Sequence, residues 1–443
     1  MSCGVIASNT IRPMVSNMTP TESVKKGLAR RYRKERRFRA LGLLAVWLGF
    51  TFLVILLADI TIKALPAFHQ TWIKLDVYFD PEVLGFEPGR PIREEALLHA
   101  DFRGVVRRSL YAMFPQVRKH RDKRKLGALV SSAAQYQVRD LLRAHPDWLG
   151  KTVPVWVRAD DDVDTYLQSA SLQGVAQDHR RLRDNQVAWL RELEKQGRIE
   201  RRFNWLFFRS ADSREPEQAG ILGAVVGSFY TLLVTIALAF PLGLAGAVYL
   251  EEYAPRSRWV DLIEININNL AAVPSIVFGL LGLAVFINFF GASRSSPLVG
   301  GMVLALMTLP TIVIAARAAM KAVPPSIREA ALGLGASHTQ MVFQHVVPLA
   351  MPGILTGTII GMAQALGETA PLLMVGMVAF IVDIPHSFTD SATVLPVQIY
   401  LWADSPERAF VARTSAAILV LLGFLVLMNG AAILLRKRFE RKW

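Results

Sequence analysis

The residue of this chain best placed to do chemistry is Glu368, set in the run Ala365-Leu366-Gly367-Glu368-Thr369-Ala370-Pro371-Leu372-Leu373. A charge at the centre of an apolar span costs about 2.5–3.5 kcal/mol on insertion scales, so it must face protein or water and have a partner. The chemistry on offer is ion pairing or proton exchange along a polar path, with Gln364, Thr369 and Pro371 beside it. Arg317, in Ala316-Arg317-Ala318, is the one arginine near the inner end of an apolar run. Its planar guanidinium suits bidentate recognition of an oxyanion, and the competing reading is a side chain that snorkels to the headgroups. A third group is Arg328-Glu329-Ala330-Ala331-Leu332-Gly333-Leu334-Gly335, followed by Pro348. This short polar, glycine-marked stretch lies between two apolar runs, with Lys321 ahead of it. It cannot lie in lipid, and it reads as a helix-turn offered to a soluble partner.

Other tempting motifs have plainer readings. Gly150-Lys151-Thr152 resembles the end of a phosphate-cradling loop, but His145 stands where the first glycine is needed. Asp160, Asp162 and Asp164 have the spacing of a calcium loop, yet Thr165 replaces the turn glycine and Ser171 the closing glutamate. The single Cys3 excludes an internal disulfide and any multi-cysteine metal site. No metal site and no catalytic residue is expected. Met14 and Met18 are alternative starts.

The elements that must position these residues are membrane spans. The 443-residue chain is 52% hydrophobic with a mean hydropathy of +0.32, high for a soluble protein of this size. Six stretches reach the roughly 20 residues needed to cross a bilayer: 41–62, 221–249, 270–290, 298–320, 349–381 and 411–435. The first reads as a retained signal anchor, because a very basic flank precedes it and no small-residue cleavage site follows. The net charge of +14 is concentrated at the ends: residues 1–40 hold ten Lys/Arg against two acids, and residues 436–443 hold five against one. Both clusters adjoin apolar runs, as cytoplasmic anchors do, which argues against nucleic-acid binding. With the N-terminus inside, the termini, 250–269, 321–347 and Arg317 carry 20 Lys/Arg, whereas the short outer loops carry Arg294, Arg408 and Arg413. The long segment 63–218 then falls outside. There the alternation Leu75-Asp76-Val77-Tyr78-Phe79 predicts a strand, and Val175, Leu182, Trp189 and Leu193 share a helical stripe.

The expected organisation is a basic cytoplasmic N-terminus (1–40), a first transmembrane helix (41–62), an extracytoplasmic mixed α/β domain (63–218), a transmembrane core (219–435) with a cytoplasmic loop at 321–347, and a basic tail (436–443). The fold class is an all-α polytopic membrane protein of six transmembrane helices with that domain inserted. Pro241, Pro274, Pro310 and Pro371 interrupt four spans, so their freed carbonyls need partners inside a bundle. Gly223 with Gly227, and Gly357 with Gly361, permit close helix approach.

Glu329-Ala330-Ala331, then Gly335, then Pro348, resembles the EAA motif of type I ABC importer permeases, whose coupling helices sit in a groove of an ATP-binding subunit. His345 and Val347 depart from that pattern, which often has Ile and Leu there. The Gly367-Glu368-Thr369-Ala370-Pro371 helix, with Pro324-Pro325-Ser326-Ile327-Arg328-Glu329, resembles the PstA-type permease family of the phosphate importer across about residues 215–440, in its longer variety with an extra outer segment. The resemblance implies ATPase coupling through Arg328, Glu329, Ala330, Ala331, Gly335 and Pro348. It implies a translocation pathway past Arg317, Gln364, Glu368, Thr369 and Pro371. That family often has an arginine where Gln364 stands, so a partner permease would supply the central cation. An ionised Glu368 would repel phosphate; it would orient an arginine or be protonated rather than bind the anion directly.

The implied partners are a second, PstC-type permease, a PstB-type ATP-binding dimer, a PstS-type phosphate-binding protein outside, and the bilayer of the inner membrane. The chain itself would bind no cofactor, with ATP and Mg used by the ATPase, and would catalyse nothing. The alternatives are a permease for another oxyanion such as sulfate or molybdate, a sensor or scaffold whose outer domain detects a ligand, and an ion-coupled transporter using Glu368 as proton carrier.

Overall fold

The structure is a computed structural model that describes residues 20–86, 94–168 and 181–439. Cys3, Met14, Met18, Ser171 and Val175 lie outside the described residues. The chain divides into two units, Met1–Asp59 and Ile60–Trp443. Most of helix α1 (Pro20–Ala64) belongs to the first, and its apolar stretch contains the expected span 41–62.

The inserted domain is built on a three-stranded antiparallel sheet in the order β2-β1-β3, with β1 His69–Tyr78, β2 Thr152–Arg158 and β3 Ile199–Phe203. The expected alternation is realised. Ile73, Leu75 and Val77 point into the core, and Leu75 pairs with Val155 while Ile73 pairs with Val157 and Ile199. Helices α2 (Phe102–Met113) and α3 (Ala134–Ala144) cover that face with Val105, Leu110, Val138 and Leu142. Asp101 starts α2 by accepting from Gly104 N–H at 2.8 Å, a side-chain cap for an otherwise orphan donor. Helix α4 (Asp161–Gln168) follows β2, and α5 (Asp184–Lys195) carries Leu190 and Leu193 into the same core, with Leu182 buried just ahead of it. The opposite sheet face carries Trp72 and Trp156, under Lys74 and Arg202; Arg202 sits 4.7 Å from the Trp156 ring centroid.

The membrane core holds α6 (Leu222–Val248), α7 (Arg258–Ala271), α8 (Ser275–Leu281), α9 (Pro297–Lys321), α10 (Pro325–Gly333), α11 (Val347–Gly367), α12 (Leu395–Ala403) and α13 (Ala409–Phe439). Among the described residues five helices are long and apolar enough to cross a membrane, or six if the bent pair 258–289 counts as one span.

Two expected spans differ. The one at 270–290 is broken: α7 and the helix from Ser275 to Phe289 meet at 103°. Pro274 causes the break, because it has no N–H to continue the ladder and disfavours helical φ/ψ at Val273. The other, at 349–381, begins earlier and stops sooner, running from His338 to Gly367. Pro371 cannot donate to the Gly367 carbonyl, and Glu368 takes an extended conformation with ψ 124°. A one-turn helix, Ala370–Met374, follows, and the apolar residues 378–382 are irregular.

The α9 and α11 helices pack in a small-residue zipper. A Cβ on Gly353 would meet Ala319 Cβ at 2.7 Å, one on Gly357 would collide with Ala315, and Gly361 lies opposite Thr311. Gly227 instead admits the backbone of Thr393, and Gly223 sits against Ala211.

Candidate functional site

At one end of the bundle, here the basic end, the 325–335 stretch forms the expected helix-turn. Helix α10 starts with Pro325 at its first turn, where a missing N–H is harmless. It closes through Gly335, whose φ of +87° is a conformation that side-chain-bearing residues avoid, and the turn is tied by Ala336 N–H to Ala331 O at 3.1 Å. The helix is two-sided. Ala331 is buried, whereas Glu329, Ala330, Leu332 and Gly335 are exposed and Leu334 is 90% exposed. Phe343 is exposed too, while Val346 and Val347 are buried and Pro348 half-buried. Leu332, Leu334 and Phe343 thus form an exposed apolar surface beside the exposed Glu329.

Arg328 does not face that surface. Its guanidinium turns into the bundle, pairing with Glu252 at 2.8 Å and donating to the carbonyls of Val323 at 2.8 Å and Met320 at 3.0 Å. It therefore terminates α9 and clamps α10 to the segment after α6. Arg317 has a similar position. It pairs with Glu251 at 3.4 Å and with Glu264 of α7, and Lys321 reaches Glu251 at 3.7 Å. The sequence reading missed Glu251, Glu252 and Glu264. Their only signal was acids at the inner end of a span or on a neighbouring amphipathic helix, opposite three basic residues whose register was not visible.

The pathway residues do not form one cluster. The zipper pairs residues 353 with 319 and 357 with 315, which puts Arg317 level with position 355. Glu368 lies thirteen residues further along α11, about 20 Å away at 1.5 Å per residue. Gln364, Glu368, Thr369 and Pro371 stay together at the α11 break, with Gln364 exposed and Glu368 and Thr369 half-buried. Pro371 is buried against Gly279 of α8, where a Cβ would lie 2.7 Å from Pro371 Cα. The half-helix that follows the Pro274 break thus packs against the Pro371 interruption. Glu368 sits at the end of a helix rather than in the middle of one, so water or a neighbouring chain can reach it without crossing a continuous apolar span.

In the inserted domain, Gly150 occupies a turn with φ +78° before β2, and Lys151 is 3.9 Å from Asp147. Asp164 does not join Asp160 and Asp162 as a third loop ligand; the carboxylates that lie close together are those of Asp160, Asp161 and Asp162, within 4.8 Å of one another. Asp160 accepts from Asp162 N–H at 3.2 Å, Asp162 pairs with Arg181 at 3.5 Å, and Asp164 accepts from Thr71 N–H at 2.8 Å and Gln168 at 2.7 Å. Burial and neighbouring Asp161 and Glu217 charge push the Asp160 carboxyl up to about 8.

Residues 239–441 match the family described as the binding-protein-dependent transport system inner membrane component, and residues 25–176 match a domain of unknown function. The chain is 36% identical over 168 residues to the probable ABC transporter permease protein YqgI of Bacillus subtilis, covering 38% of this chain and 56% of that protein. It thus spans little more than half the length of that relative. It is 35% identical over 228 residues to the phosphate transport system permease protein PstA 1 of Mycobacterium tuberculosis, covering 50% of this chain and 72% of that protein. Among solved structures, an inward-facing form of the MetNI methionine ABC transporter is similar over 49% of this chain and 97% of that chain, with 21% identity and a TM-score of 0.41.

Proposed function

We propose a function from one premise: the chain belongs to the family of PstA-type phosphate transport permeases, membrane components of binding-protein-dependent ABC importers. It is a multi-pass membrane permease that forms half of a transmembrane pathway for inorganic phosphate. A second permease of PstC type completes the pathway. A PstB-type ATP-binding dimer, using ATP and Mg, docks at the basic end, and a PstS-type binding protein delivers phosphate from outside. Both termini lie in the cytoplasm and the inserted domain lies outside, in keeping with the excess of Lys/Arg at the basic end. The chain itself hydrolyses nothing.

The observation that carries this reading is the two-sided α10 helix, anchored by Arg328 and offering Glu329, Ala330 and Leu334 to a partner. ATP binding closes the partner dimer, α10 moves with it, and the Arg328–Glu252 and Arg317–Glu251–Glu264 pairs carry the displacement into α6, α7 and α9. The paired breaks at Pro274 and Pro371 supply the element that rearranges. Glu368 serves the pathway by holding a cation from the second permease.

The test is purification of the tagged chain with its copurifying subunits, followed by reconstitution into proteoliposomes. An ATPase in stoichiometric amount, and ATP-driven uptake of phosphate in preference to sulfate and molybdate, are expected. Absence of an ATPase would sink the importer reading, and uptake of a different oxyanion would sink the choice of cargo.

A further inference from the structure

Where the inserted domain meets the bundle, a cleft of about 220 Å³ is lined by residues from both. Arg413 contributes from the first turns of α13, Glu217 from the segment leading into α6, and Asp164 from α4, with Arg408 and Lys63 also in the lining. Arg413 is 4% exposed, and its Nη1 has no hydrogen-bond partner among the described residues. The guanidinium lies 5.7 Å from the Phe207 ring centroid, within electrostatic reach of Asp164 and Glu217. Glu217 is 2% exposed; one oxygen accepts from Ser131 Oγ, and Oε2 has no partner among the described residues. A buried cation and a buried carboxyl, each with an unmet hydrogen-bonding atom, flank one cleft at the end of the molecule opposite α10. Leaving such groups unmet is destabilising, the more so when they are charged.

The charge pattern selects the occupant. A metal ion would meet Arg413, Arg408 and Lys63, while Asp164 already accepts two hydrogen bonds through one oxygen. A fully ionised anion would meet the carboxylates. An oxyanion that keeps one proton satisfies both sets: its oxygens accept from the guanidinium, and its hydroxyl donates to a carboxylate. The volume suffices for a tetrahedral oxyanion and several waters, each water taking about 30 Å³.

We propose that this cleft binds a partly protonated tetrahedral oxyanion, hydrogen phosphate in class, with Arg413 as its buried anchor, Arg408 and Lys63 at its mouth, and Asp164 and Glu217 as acceptors of its proton. The site lies away from the interruptions at Pro274 and Pro371, so it loads or senses the anion before any passage through the bundle. The choice of phosphate rests on the import reading; the site does not.

Equilibrium dialysis of radiolabelled phosphate against the full chain in nanodiscs, at neutral pH, tests it. Saturable phosphate binding is expected, with sulfate competing poorly. Arg413→Gln and Arg408→Gln should each weaken it, Arg413→Gln by about 10- to 100-fold, the loss expected for a charge-assisted hydrogen bond. Glu217→Gln should narrow the preference for phosphate over sulfate, because an amide donates to either anion. Arg408 is exposed, so its variant carries no folding burden. No saturable binding, or binding unchanged in Arg408→Gln and Glu217→Gln, overturns the proposal. Uptake by the assembled complex is a separate readout. A complex that imports sulfate instead would refute the import reading while dialysis with sulfate still decides the site.

Discussion

At the scale of single residues, Arg317 and Arg328 are each held in ion pairs with acids of neighbouring elements. The Glu252 side chain is 6% exposed and Arg328 completes its pairing, so removing either leaves a mostly buried charge unmatched, at a cost of about 3–5 kcal/mol. Arg328→Ala should therefore lower the melting temperature of the chain in nanodiscs and sharply reduce ATP-driven uptake. A double-mutant cycle with Glu252→Ala should show that the second loss costs less than the first, and strict additivity would show that the clamp contributes nothing. Glu217 gives a pH prediction. Burial raises its carboxyl from 4.5 to about 7, so the folded form holds a proton that the unfolded form releases. Its contribution to stability is complete below about pH 4.5, falls as pH rises from there, and is lost once pH passes about 7. Glu217→Gln should flatten the melting-temperature profile across that window, and a profile unchanged by the substitution would refute the assignment.

At the scale of elements, close approach and backbone conformation decide what can be changed. The α9–α11 contact is a stack of Gly353, Gly357 and Gly361 against Ala319, Ala315 and Thr311. Gly357→Ala should lower the yield of folded protein in detergent, and adding Ala315→Gly should restore it, because the pair then carries the same single Cβ from the other side. Failure of that rescue would place the damage elsewhere. Gly335→Ala, at φ +87°, is expected to strain the turn after α10 by about 1–2 kcal/mol. Insertion should persist while phosphate-dependent ATPase stimulation falls, and Gly335→Asn should fall less. The helix starts and stops are partly legible in the sequence: the prolines at 274 and 371 mark interruptions, but not how severe each one is. A proline can be absorbed as a kink when neighbours satisfy the freed carbonyl. Here the chain turns instead, and α8, just past the first turn, packs on the second through Gly279 and Pro371.

At the scale of the whole molecule, the inserted domain and the bundle share a core. Phe207 and Ala67 pack with Ile221, Ala224, Trp402 and Phe410 in one buried cluster. Excision of the entire 63–218 segment is therefore expected to uncover the starts of α6 and α13 and to reduce folded yield. A deletion limited to 72–203, with the retained ends joined by a flexible linker, should keep that cluster and allow phosphate uptake to be measured in the assembled complex. Equal folding of both truncations would show that the shared core is dispensable. The sequence by itself determined the class of this protein: apolar length gives spans, and the polar, glycine-marked stretch from Glu329 to Gly335 gives a helix-turn between two of them, because each is a local property of consecutive residues. It also isolated the alternating strand at 75–79 and the exceptional carboxylate at 368. Only the tertiary structure decided which charges meet. Arg317 and Glu368 lie on neighbouring helices about 20 Å apart along the axis, Arg328 faces inward to Glu252, and Arg413 is buried beside Glu217 and Asp164. Those pairings depend on helix register and crossing, which pack residues distant in the chain and leave no periodic trace in either partner.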